Sequence, residues 1–96
     1  MLSIEIIKQA TQRVGQKYGI KKAYLFGSYA KGCANEKSDV DILIDKGELK
    51  GLGVSRFRLD LIDELGGVDA DVLTENSLRE KFYDMINDDR ILIYGA

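Results

Sequence analysis

Apolar residues recur along this chain first at helical spacing and then at strand spacing, and the alternation of the two periods divides it into elements. Ile4, Ile7, Val14 and Tyr18 form one stripe behind Ser3, which can cap a first turn, and Gly19 can end a helix in the left-handed region. The pattern predicts a packing helix from Ser3 to about Tyr18. Lys22 to Phe26 reads as a short strand that stops at Gly27-Ser28, where glycine permits a tight turn and serine can cap a new helix. Asn35 to Ser38 is polar and turn-prone. Asp39 to Asp45 then sets Val40, Ile42 and Ile44 on one face against Asp39 and Asp41 on the other, the alternation of a second strand.

Lys46 to Gly53 carries three glycines among charged residues and reads as a mobile loop. Val54 to Leu65 follows helical spacing through Phe57, Leu61, Ile62 and Leu65, and Gly66-Gly67 closes it. Val68 to Leu73 predicts a third strand. Ser77 caps a helix carrying Leu78, Phe82 and Met85, and Ile91 to Tyr94 makes a final strand. Helices alternating with strands predict a layered α/β (α+β) sheet with short crossovers, whose strand order is left open by one sequence.

Ninety-six residues suit one domain, spanning 1–96, that buries roughly two thirds of its unfolded surface. The 14 basic and 16 acidic residues are spread along the chain, so no basic stripe marks a stable nucleic-acid partner. A small phosphate ligand is compatible with this balance, since a few backbone amides, one lysine and a metal can hold it. Histidine is absent, which leaves carboxylates for metal binding and proton transfer. Cys33 stands alone and is expected to be a small buried residue without a role. The chain start lacks a secretion pattern and the apolar runs are too short for a bilayer, so a cytoplasmic, soluble protein is expected. Tyr18, Tyr24, Tyr83 and Tyr94 are expected in the core, with Tyr29 the exposed exception.

The chemistry concentrates in Gly27-Ser28-Tyr29-Ala30-Lys31-Gly32 and Ser38-Asp39-Val40-Asp41. Gly27 lets a ligand approach the backbone, Ser28 and the following amides suit phosphate oxygens, and Lys31 can add a point charge. Asp39 and Asp41, two apart on a strand, leave one face with Cα atoms roughly 7 Å apart, a pair suited to Mg²⁺ beside substrate phosphates. A two-metal arrangement wants a third carboxylate. Asp69 and Asp71 share a face by the same alternation, and Asp71 is favoured, both to bind metal and to accept the hydroxyl proton.

These residues resemble the DNA polymerase beta-type nucleotidyltransferase superfamily, whose signature is Gly-Ser, about ten residues, then Asp-x-Asp. Here Tyr29 to Ser38 separate Gly27-Ser28 from Asp39-Val40-Asp41. Length and the segments Asp71-Val72-Leu73-Thr74 and Ile91-Leu92-Ile93-Tyr94-Gly95 are similar to the minimal MNT proteins, the antitoxin half of HEPN/MNT toxin-antitoxin pairs. The resemblance implies a nucleotidyltransferase fold, a small mixed sheet of about four strands flanked by helices. It implies AMP transfer from ATP, with Mg²⁺, onto a tyrosine hydroxyl of a HEPN ribonuclease toxin. It maps Asp39, Asp41 and Asp71 onto the catalytic, metal-binding carboxylates, and Gly27 and Ser28 onto the phosphate turn. Lys31 stands where arginine is also common, which keeps charge but loses bidentate geometry. Two other functions compete: neutralisation of a partner by docking alone, and transfer to a small molecule of aminoglycoside type. Retention of a costly acidic pocket weighs against the first, and the little surface of one short chain against the second.

Overall fold

A computed structural model describes residues 1–75 and 89–95. The predicted helix at residues 77 to 85, with Tyr83, lies outside the described residues. Helix α1 spans Ile4–Tyr18; the Ser3 hydroxyl accepts a hydrogen bond from the Ile6 amide, and Gly19, at φ 68°, closes the helix in the left-handed region. Ser3→Ala removes an acceptor for a first-turn amide and is expected to lower unfolding stability by about 1 kcal/mol, read from urea midpoints at constant slope.

Strand β1 (Lys22–Phe26) runs antiparallel to β2 (Val40–Asp45), and β1 also pairs antiparallel with β4 (Ile91–Tyr94). Helix α3 (Gly53–Glu64) crosses over to β3 (Ala70–Thr74), which pairs parallel to β2, giving the mixed order β3-β2-β1-β4. A short helix, α2 (Gly27–Lys31), follows β1 directly and packs against β1 and β2.

One face of the sheet carries the core. Ala23 and Leu25 of β1, Val40, Ile42 and Ile44 of β2, Ala70 of β3 and Ile93 of β4 are buried together with Ile7, Ala10 and Val14 of α1 and Phe57 and Leu61 of α3. The strands contribute alternate residues because side chains leave a strand on opposite faces in turn. Tyr18 meets Phe57 edge-on at 5.9 Å, and its hydroxyl donates to Asp60 at 2.6 Å. Ion pairs Lys17–Asp60 and Arg13–Glu64 rim the same α1–α3 contact, exposed to solvent and therefore weak.

The apolar stripe of α1 is shifted from its expected line. Ile4 is 40% exposed, while Ala10, Thr11 and Gly15 are buried. Small residues let α1 approach the sheet: a Cβ on Gly15 would stand 3.1 Å from the Tyr94 ring. Cys33 is exposed, against expectation, because it follows Gly32, where the chain leaves α2 through a left-handed residue. Among the described residues no helix is long and apolar enough to cross a membrane.

Candidate active site

The second face of the sheet carries the side chains that alternate with the core. Register aligns Tyr24, Leu43 and Leu73 across β1, β2 and β3 as one apolar row, and Phe26, Asp41 and Asp71 as the next. Asp41 and Asp71 are direct partners in a parallel pair, so their Cα atoms stand about 4.8 Å apart and both side chains leave this same face. Asp39 lies two residues before Asp41, just ahead of the strand, and is exposed.

This crowding has an electrostatic signature. The Asp41 carboxyl is pushed above its ordinary value, first by burial and then by the charges of Asp71 and Asp39. Asp41 therefore feels both other carboxylates. Among the described residues no three acidic side chains form a ready-made ion cage in their present rotamers. The backbone supplies the shared face, and Asp39 and Asp71, being exposed, keep rotamer freedom to turn toward it. An all-oxygen donor set around a carboxylate destabilised by its neighbours fits a hard divalent cation, which would relieve that repulsion.

Gly27 closes one side. It sits at φ 73°, immediately after the residue that pairs with Asp41, and a Cβ built on it would collide with the Asp41 carboxylate oxygen. The turn thus admits both a left-handed backbone and the carboxylate of the neighbouring strand, and only glycine satisfies both. Ser28 is the second residue of α2 and not its cap; the cap position is Phe26, with no side-chain hydrogen bond. The helix begins at Gly27, one step earlier than expected. Ser28 holds the far end of the turn instead, its carbonyl accepting from the Cys33 amide at 3.0 Å. Tyr29 is buried, 5% exposed, and belongs to the core and not to a ligand surface. Lys31 ends α2, half-exposed, with Nζ 3.7 Å from the Asp89 carboxylate.

Asp69 departs from the face it was expected to share with Asp71. It precedes β3, and its Oδ1 accepts from Arg58 Nη2 at 2.9 Å and from the Ala70 amide at 2.9 Å. The arginine on α3 therefore removes Asp69 from the acidic row. Arg58 itself gave no signal in the sequence, because nothing local links position 58 to positions 69 and 70.

Fold and site together define a small α/β transferase domain built around an acidic strand pair. The chain belongs to the nucleotidyltransferase domain family, whose model matches residues 7–93. A candidate protein adenylyltransferase of Methanocaldococcus jannaschii is 40% identical over 86 residues, covering 88% of this chain and 91% of that protein. Protein adenylyltransferase MntA of Thermococcus cleftensis is 31% identical over 83 residues, covering 82% and 84%. A solved candidate minimal nucleotidyltransferase superposes with TM-score 0.79 at 26% identity, over 94% of this chain and 95% of its own. A toxin-antitoxin structure with AMP-PNP matches at TM-score 0.79 and 20% identity, covering 93% of this chain and 73% of that one. A tri-AMPylated Shewanella oneidensis HEPN toxin in complex with MNT antitoxin matches at TM-score 0.73 and 17% identity, covering 96% and 72%. At these last two identities the likeness is one of fold.

Proposed function

We propose that this chain is the antitoxin of a two-component pair and a Mg²⁺-dependent protein adenylyltransferase, transferring AMP from ATP onto a tyrosine hydroxyl of a HEPN-type toxin. The observation that carries this reading is the alignment of Asp41 opposite Asp71, with Gly27 pressed against Asp41. The adenylyltransferase names of its relatives and the toxin-antitoxin complexes among its structural neighbours support the choice of donor and acceptor.

Asp39, Asp41 and Asp71 would hold the metal, which when bound offsets charge on the phosphates and on the attacking oxygen. Gly27 and Ser28 place backbone amides of the α2 turn against the triphosphate, and Lys31 contributes a point charge there once drawn from Asp89. Asp71 accepts the proton of the acceptor hydroxyl, whose oxygen bonds to the α-phosphorus while pyrophosphate departs with the broken bond's electrons. The partner supplies its own side chain as acceptor.

The test is the intact mass of the protein encoded beside this one, after incubation with this chain, ATP and Mg²⁺. A gain of whole AMP units that is lost with Asp39→Asn/Asp41→Asn and with Asp71→Asn, but kept with Asp69→Asn, is expected. An unchanged mass in a stable complex would mean neutralisation by docking alone.

A further inference from the structure

The residue assigned as the third carboxylate stands on an edge strand of the sheet. Among the described residues β3 pairs with β2 alone. A slip of one residue there would carry Asp71 from the second face to the core face, since strand side chains alternate. Arg58 of α3 grips the entry to this strand at two consecutive residues. Its Nε donates to the Ala70 carbonyl at 2.7 Å and its Nη2 to Asp69 Oδ1 at 2.9 Å. Asp69 Oδ1 accepts in turn from the Ala70 amide, and the Asp69 carbonyl accepts from the Val40 amide at 3.0 Å.

Both peptide groups of Ala70 are thus held. The carbonyl that Arg58 binds shares its peptide plane with the Asp71 amide, so the guanidinium sets the orientation from which the Asp71 side chain departs. We propose that Arg58 is a positioning residue for Asp71, holding the entry of β3 in register so that this carboxylate faces Asp41. The planar fork suits this task, because two of its N–H groups reach a backbone and a carboxylate oxygen at once, which a lysine ammonium does with less geometric control. The same contact pairs the Asp69 carboxylate with a cation and so keeps it apart from Asp71 and Asp41. The inference rests on the assignment of Asp71 as a metal ligand.

The test is Mn²⁺ binding to the whole chain, followed by the loss of the free-ion electron paramagnetic resonance signal, which needs no turnover. Arg58→Gln is expected to weaken Mn²⁺ binding about tenfold or more, as loss of a partner behind a ligand does. Arg58→Lys, which keeps charge without the fork, is expected to fall between Arg58→Gln and the parent, and serves should Arg58→Gln fail to fold. In the Asp71→Asn background, Arg58→Gln should add no further loss, because its effect runs through that one side chain. Parent-like affinity in Arg58→Lys and Arg58→Gln, or a full additional loss on top of Asp71→Asn, would overturn the positioning role while leaving Asp71 a ligand. Unchanged Mn²⁺ binding in Asp71→Asn alone would overturn the assignment of Asp71, and the role of Arg58 with it.

Discussion

Asp41→Asn is expected to abolish nucleotide transfer, by about a thousandfold or more, while making the metal-free chain more stable. The two effects have one cause. Asp41 is the most confined of the three carboxylates, and burial together with Asp71 and Asp39 disfavours its charged form. Because its folded pKa lies above the ordinary 3.8, the folded state holds the proton more tightly than the unfolded one. The penalty is therefore absent below the unfolded value, grows as pH rises through the raised folded pKa, and is complete above it. Metal-free stability should fall across that window in the parent and stay flatter in Asp41→Asn, which carries no charge at this position. Urea unfolding with a chelator from pH 3.5 to 7.5, beside transfer assays with Mg²⁺, measures both. Added Mg²⁺ should stabilise the parent and not the variant, as a ligand of the folded state must. A variant that is both inactive and less stable at neutral pH would contradict this account of Asp41.

Gly27→Ala is expected to lose activity by at least about a hundredfold and to lower stability by about 1–2 kcal/mol from backbone strain alone. At φ 73° an alanine is strained, and its Cβ additionally meets the Asp41 carboxylate. Gly19→Ala separates the two terms. Gly19 has φ 68° and nothing within 4 Å of a Cβ, so that variant carries the same kind of strain far from the acidic row. It should lose comparable stability and keep transfer activity. If Gly27→Ala retains activity in proportion to Gly19→Ala, the close approach of Gly27 to Asp41 has no catalytic consequence.

Much of the fold was legible in local pattern. β1 and β4 lie where apolar clustering between turn residues put them, and α1 begins and ends at Ser3 and Gly19 because capping is a local hydrogen-bond requirement. Val54 to Leu65 was shifted by one residue, to Gly53–Glu64, which is the ordinary uncertainty of a helix end. Tyr29 and Cys33 were misplaced, the first outward and the second inward. Both lie in or just after a single helical turn, too short for a period to declare which way a side chain faces.

The sequence alone carried the resemblance to the transferase family, and it marked the Gly27-Ser28 turn and the Asp39-Val40-Asp41 segment as the candidate site, because these lie along one stretch of chain. Tertiary structure decided what depends on the meeting of distant segments. Parallel register brought Asp71 opposite Asp41, Arg58 of a crossover helix drew Asp69 away, and the end of β1 pressed Gly27 against a carboxylate of β2. Asp69 and Asp71 are interchangeable in a periodic pattern. They differ in what the rest of the chain places beside them: a cation and a peptide amide for one, a second carboxylate for the other.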